Sequence, residues 1–519
     1  MSSIPAILGA CAALFNYFSD NIARGIRFRY LINLLFAVLI LAGTLLGIRL
    51  GINQSGLSIW QVNGWPASKI GLVFDFPGWI FAVALSSALL MSITAIQDGP
   101  AENKAHRASV CFMMGAAGLL GVLAVNPLTL IIAWALIDLV QFGYIFFFGT
   151  DPSRLGGLLL TLAYRLFGIL ALFFSMLYFP QTDSAGGFEL LGSSQTILIL
   201  MAALLRLGIL PPYEQLEKAQ TQLPRPIRAS FSIVPAAAGL ILLARSTAGE
   251  LSSAWMYGFL LLALFAALYA AFIWLANPIQ LQWRTFWILG FSALALASAV
   301  LAEAEAAGAW AGVAIYGGVY LYFGLRRSRA TRFLFGAIPL VFIGLPFTLS
   351  WSGTNLFGHI GILLPVLFIG PLSMLVFGWV RSSFQPEEDE ISNQMGNDLI
   401  ANIVAILLIA FYFIIGIWMG INGNGFSSGN FWTGFLVLVL GVGLIVFNNH
   451  FSITLPGSVT AIFRRTASMD WLGRFAWVLY RHSARYINLL SSLLEGESGT
   501  LWSLLALMIL LSLTISVLN

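Results

Sequence analysis

Three ionisable residues stand inside long apolar runs. Asp138 closes Trp134-Ala135-Leu136-Ile137-Asp138, Arg165 sits in Tyr164-Arg165-Leu166, and Arg206 precedes Gly208-Ile209-Leu210-Pro211-Pro212-Tyr213-Glu214. In a hydrocarbon layer such groups are costly, face the protein interior, and mark an ion path or a proton relay by default. A carboxylate can accept a proton or hold a cation, whereas a guanidinium supplies a fixed positive charge. The competing reading is a structural Asp–Arg pair that locks helices together. Glu214 lies two residues after the second proline and joins the ion-pathway candidates. Glu303, Glu305, His359 and His450 lie near the ends of apolar runs, where a solvated polar role competes with a relay.

Other chemistries lack their residues. There is no Cys or His cluster spaced for a metal, no glycine loop followed by Lys and Ser/Thr for phosphate, and no nucleophile elbow. No metal, no cofactor and no catalytic residue is expected. Cys11 and Cys111 both fall in apolar segments and read as buried small hydrophobes, not as a disulfide.

The elements that must position these charges are membrane helices. The 519 residues are 59% hydrophobic and only 9% charged, where a soluble domain carries about 25% charge. Crossing a bilayer takes about 20 apolar residues in a helix, and the runs are continuous rather than alternating. About 16 spans are expected: 4–18, 31–50, 77–96, 108–125, 127–148, 157–179, 194–210, 227–247, 253–277, 285–302, 308–325, 333–351, 359–380, 399–420, 431–449 and 500–518. Residues 51–76 read as an external hairpin, 381–398 as a solvated acidic loop, and 464–494 as an amphipathic helix along the interface. The first apolar stretch lacks the features of a cleavable signal peptide.

The 25 Lys and Arg residues test this layout. If the loop after the first span is cytoplasmic, the inside segments take most of them, and the outside keeps only Arg49, Lys69 and Arg245. That asymmetry orients the chain in a cell's inner (cytoplasmic) membrane with both termini on the non-cytoplasmic side. Basic residues set singly in short loops argue against nucleic acid as a partner.

Two spans carry helix breakers. Pro211 and Pro212 end the span at 194–210, and Gly344-Leu345-Pro346 interrupts the span at 333–351. Each break falls in the fourth span of a five-span block, and five being odd, the second block enters from the opposite face. The fold class is therefore an all-α polytopic membrane protein with two inverted five-helix repeats, each containing a broken helix. The expected units are N-terminal helices with the hairpin (1–107), a first repeat (108–247), a second repeat (253–380), a C-terminal pair with the acidic loop (381–449), and the interfacial helix with the last span (450–519).

The stretch from Arg206 reads R-L-G-I-L-P-P-Y-E-Q-L-E-K-A, then L-P-R-P-I-R-A-S-F-S, then A-G-L-I-L-L-A-R ending at Arg245. It resembles the hallmark segment of the proton-conducting, antiporter-like membrane subunits. That superfamily covers respiratory complex I, Mrp-type cation/proton antiporters and membrane-bound hydrogenases. Phe74-Asp75-Phe76, Asn126-Pro127-Leu128 through Trp134, Tyr164-Arg165, Gly344-Leu345-Pro346 and Asp470-Trp471-Leu472-Gly473-Arg474 resemble further family segments in the same order. The resemblance implies a membrane subunit of an NADH-quinone oxidoreductase-like, Mrp-like or hydrogenase-like complex. It would lie in lipid beside other membrane subunits, with protons or Na+ as the ions, and would add Arg245 to the ion-pathway residues.

The departures from the family pattern fall on its relay. The buried Glu after Trp aligns with Ala135, leaving Asp138 near the same helix face. The central Lys aligns with Arg206, the two His with Tyr213 or Glu214 and with Ser232, and the distal Lys with the Ser352–Thr354 region, where there is none. A relay lysine works because burial brings its ammonium near neutrality; arginine keeps its proton. The expectation is a degenerate relay. A non-conducting structural subunit and a self-contained secondary transporter are the alternatives.

Overall fold

The computed structural model describes residues 2–19, 26–47, 55–57, 70–98, 103–148, 155–176, 188, 192–209, 211–212, 220, 223–246, 251–276, 280–323, 329–358, 366–383, 398–421 and 429–450, with single positions at 478, 481–482, 484–485 and 507–508. Among the described residues there are fifteen α-helices: α1 (Ile4–Ser19), α2 (Ile26–Gly47), α3 (Phe76–Asp98), α4 (Lys104–Val122), α5 (Pro127–Phe148), α6 (Leu155–Met176), α7 (Ser193–Arg206), α8 (Arg225–Arg245), α9 (Ser253–Ala276), α10 (Gln280–Val300), α11 (Ala304–Phe323), α12 (Arg329–Phe342), α13 (Ile369–Ser383), α14 (Asp398–Ile421) and α15 (Phe431–His450). Each of the first fifteen expected spans falls on one of them. Eight are long and apolar enough to cross a membrane, and five more are apolar but shorter. The chain is a predominantly helical, multi-pass membrane protein. The expected interfacial helix at 464–494, the acidic loop beyond Ser383 and the span 500–518 lie almost wholly outside the described residues. Residues 464–519 form a separate compact unit.

Burial ranks the helices. In α8 and α11, 94% of the apolar window is enclosed, against 28% in α2 and α6. α8 packs on α3, α4, α5, α7, α10 and α11 and so forms the axis of the bundle. Cys111 is buried, as its apolar surroundings suggest, but Cys11 is exposed on α1. An apolar helix in lipid turns part of its apolar surface outward, so apolar context alone does not predict burial.

Local chemistry sets the helix ends. α5 begins at Pro127, whose missing N–H costs nothing in a first turn, and Asn126 Oδ1 accepts from Thr129 N at 2.9 Å as the cap. α7 ends in a Schellman turn. Gly208 takes φ 66, Ile209 N donates to Leu204 O at 3.1 Å, and Gly208 N donates to Leu205 O at 3.3 Å. The helix therefore stops before Pro211 rather than at it. α12 stops at Phe342, short of the expected span, because Gly344 takes φ 88 and Phe347 φ 67. The chain then runs through a 3-10 turn at Ser352–Gly358.

The segment read as a hairpin contains two short antiparallel strands, β1 (Ser55–Leu57) and β2 (Ile70–Leu72). β2 docks on the turn between α4 and α5: Val125 N donates to Gly71 O at 3.0 Å and Val73 N to Leu123 O at 2.9 Å. A clasp closes this end of the bundle. Arg245, at the end of α8, donates from Nε to Asp75 Oδ2 at 2.7 Å and from Nη2 to Asp75 Oδ1 at 2.5 Å. Its Nη1 donates to the Ala124 carbonyl, while Gly78 N donates to Asp75 Oδ1 at 3.1 Å. One arginine thus ties α3, α8 and the α4–α5 turn.

Gly78 admits the clasp. A β-carbon there would strike the Asp75 carboxylate and come within 2.5 Å of Arg245 Nη2. Gly78→Ala should therefore cost about 1–3 kcal/mol by overpacking, read as a lower unfolding midpoint in detergent. Ser87→Ala, on the same helix away from the clasp, should move the midpoint much less.

Candidate functional site

Three helices deliver three charges to one point. α5 brings Asp138, α6 brings Arg165, and the last turn of α7 brings Arg206. Arg165 Nη1 donates to Asp138 Oδ1 at 2.9 Å, and Arg206 Nη1 donates to Asp138 Oδ2 at 2.5 Å. Each carboxylate oxygen is taken by a different guanidinium. The side chains are no more than 5% exposed, so the charges meet in a medium where separating them is very costly.

The surroundings fix each partner. Arg206 closes α7, where the unbonded carbonyls of a helix C-terminus favour a cation. Its guanidinium lies over the fully buried ring of Trp134 at 5.1 Å, a cation–π contact. Trp134 is itself anchored, its Nε1 donating to Ala238 O at 2.8 Å. Gly239 lets α7 approach α8: a β-carbon there would sit 3.2 Å from Arg206 Cγ and 2.8 Å from Leu207 Cδ2.

Gln141 links the clamp to the backbone of α8. Pro235 lies inside α8, and its missing N–H leaves the carbonyl of Phe231 without a helical partner. Gln141 Nε2 donates to that carbonyl at 3.1 Å, and its Oε1 accepts from Arg165 Nη1 at 2.7 Å. Gln141 is one turn beyond Asp138 on the same face of α5, a spacing that could have singled it out in the sequence.

A cavity of about 80 Å³ opens beside the clamp, lined by Arg165, Arg206, Gly208, Gln220, Ser232 and Thr285 among others. About 10–15 Å³ suffices for one water, so it takes several. Hydroxyls continue from it: Tyr322 Oη donates to Ser232 Oγ at 2.8 Å, and Ser232 Oγ donates to Gln220 Oε1 at 3.1 Å. The Arg284 guanidinium lies over the Tyr322 ring at 5.6 Å. Sequence reasoning flagged Ser232 but missed Gln220 and Tyr322, whose meeting depends on tertiary packing.

The remaining candidates are elsewhere. Arg245 is in the clasp with Asp75, at the far end of α8 from this cavity. Tyr213, Glu214 and His359 lie outside the described residues. Pro211 is buried just past the break, while Gly344 and Pro346 form the second break. Glu303 and Glu305 sit at the turn between α10 and α11.

No family model matches the sequence, and no curated protein matches it. Solved structures do. A chain of the Mrp complex from Dietzia sp. DQ12-45-1b superposes with a TM-score of 0.71 at 16% identity, over 100% of this chain and 63% of that one. A chain of the membrane-bound sulfane sulfur reductase (MBS), an archaeal respiratory membrane complex, superposes with a TM-score of 0.66 at 13% identity, over 99% of both chains. At these identities the likeness establishes the fold. In class the chain is a polytopic helical membrane protein. More narrowly, it shares the fold of these two chains, and it spans 63% of the Mrp chain's length.

Asp138→Ala would leave two buried guanidiniums without the carboxylate between them. It should cost about 3–5 kcal/mol, visible as a lowered unfolding midpoint and a smaller folded yield in detergent. A double-mutant cycle between Asp138 and Arg206 should return a coupling of about 1–3 kcal/mol. A coupling near zero would mean that the two residues do not share an interaction.

Proposed function

We propose that this chain is an antiporter-like subunit of a multi-subunit, ion-translocating membrane complex, and that its Asp138 clamp is a fixed charge cluster rather than a proton relay. It sits in a cell's inner membrane with both termini on the non-cytoplasmic side. Its partners are lipid and other membrane subunits, and the complex moves protons or Na+. The fold it shares with chains of two membrane complexes supports the subunit reading.

One observation carries the fixed-charge reading: both oxygens of Asp138 are engaged by arginines, one from α6 and one at the break of α7. A relay group must gain and lose a proton during each cycle. A lysine can do so when burial makes its neutral form accessible, but an arginine keeps its proton. Ser232 offers a hydroxyl where the family pattern has a histidine. Hydroxyls and water can orient around the clamp, yet among the described residues no group at its centre matches the acid–base task of a lysine–histidine pair. The chain then shapes the field within the membrane and braces neighbouring subunits, while proton hand-over falls to other parts of the complex.

The test uses the assembled complex, purified with wild-type chain, Asp138→Asn or Arg206→Lys and reconstituted into vesicles. Proton-coupled current is scored per assembled complex, which separates assembly from conduction. Both variants should stay within about twofold of the wild type, equivalent to about 0.4 kcal/mol. A loss of about tenfold or more in either variant, about 1.4 kcal/mol, would make the clamp part of the conducting path. A chain that purifies without any other membrane subunit would overturn the subunit reading.

A further inference from the structure

The helices α9–α13 hold a core of a different kind. Trp287 is fully buried on α10, with its ring centroid 4.3 Å from Phe291 and 4.6 Å from Trp379 on α13. Trp274 on α9 lies 6.0 Å from Trp287, and Trp310 on α11 lies 5.8 Å from Phe291. The centroid separations are those of packed aromatic pairs.

Three of these tryptophans rest on glycines. A β-carbon at Gly317 would strike the Trp287 indole, and one at Gly378 would strike Trp274. At Gly353 it would sit 2.7 Å from Trp310 Cε2. The indole therefore occupies space that any other residue would fill. Such contact draws backbone and ring together at the density of a protein interior.

Several polar groups in this region bond to a nearby backbone carbonyl. Pro339 interrupts α12 and frees the carbonyl of Phe335, which accepts from Trp379 Nε1 at 2.9 Å. Trp287 Nε1 donates to Val313 O at 3.2 Å. At the second break Thr348 Oγ1 donates to Leu345 O at 2.6 Å, Ser350 Oγ to Val341 O at 3.0 Å, and Thr354 Oγ1 to Trp351 O at 2.7 Å. Ser292 Oγ and Trp310 Nε1 have no hydrogen-bond partner among the described residues. Among the described residues, the charged side chains here, Arg284, Glu303, Glu305 and Arg381, lie towards helix ends.

We propose that α9–α13 form an ion-tight plug, so that, among the described helices, a hydrated path runs through the half that holds Asp138. An ion in a low-dielectric core needs water or a continuous row of polar groups to lower its solvation penalty. The tryptophans take the space for the first, and the hydroxyls at the second break are held by nearby backbone carbonyls and by each other. The plug deepens the division of labour proposed above, yet its test reads solvent entry and not ion movement, so either can fail alone.

The experiment is cysteine accessibility in the full chain within its purified complex, on a Cys11→Ser background with the slow reaction of buried Cys111 subtracted. Ser292→Cys places a near-isosteric thiol on α10 among the rings, at a position with no hydrogen bond to lose. Ser232→Cys places one at the first-half cavity. A small charged thiosulfonate should label Ser232→Cys at least about tenfold faster, because reaction at a closed site waits on local opening. Trp287→Ala added to Ser292→Cys should raise labelling by about tenfold or more. Ser292→Cys reacting within about twofold of Ser232→Cys would overturn the plug. Both of these single variants keep the tryptophans, so their comparison holds whether or not Trp287→Ala folds.

Discussion

Everything near the break of α7 depends on one carboxylate shared by two guanidiniums. Ions removed from water lose several kcal/mol each even after relaxation. That loss is offset only if every charge meets its complement at hydrogen-bond distance. Asp138 meets this condition only with α5, α6 and α7 in register. A shift of one residue along any of these helices, about 1.5 Å, would pull a donor off its oxygen. The clamp is thus a weak source of net stability but a strict specifier of helix position, and the broken end of α7 follows from it. Arg206 reaches Asp138 from a helix end, where the chain can turn away at Gly208.

Proline adds a second constraint on the same parts. A proline inside a helix leaves a carbonyl without its donor, and in hydrocarbon that carbonyl must find another. Gln141 answers Phe231 in the first half, and Trp379 answers Phe335 in the second. The donors differ in what else they do. Gln141 also accepts from Arg165, so the freed carbonyl joins a polar network that reaches the cavity. Trp379 brings an apolar ring, so the freed carbonyl closes into an aromatic core. One backbone problem has two solutions of opposite polarity within one chain.

Much of this was legible in the sequence, for identifiable reasons. Long apolar runs fixed the helices because lipid permits few alternatives, and α5 starts and ends where its proline and its polar flank require. Asp138, Arg165 and Arg206 announced themselves because a charge in an apolar run has few physical explanations. The end of α12 was less legible, since the positive φ of Gly344 and Phe347 is a tertiary outcome that acts before the proline. The partner of Arg245 was not legible at all. Asp75 stood out only in Phe74-Asp75-Phe76, far from Arg245 in sequence, and only the meeting of β2, α3 and α8 joins the two. Cys11 shows the limit of composition: an apolar helix does not say which of its faces meets protein.

The arginine at the end of α7 carries the strongest functional consequence. Lysine and arginine have the same charge but differ in what burial does to them. A buried lysine can give up its proton when no partner holds it, so a path can use its two states in turn. A buried arginine has one state, and the surrounding protein must supply a permanent counter-charge. Asp138 does so here, with Trp134 and the carbonyls at the end of α7 reinforcing the position. In the function proposed above, an arginine where the family pattern has a lysine makes the site a strut rather than a switch. A strut requires the rigid geometry that α5, α6 and α7 build around Asp138.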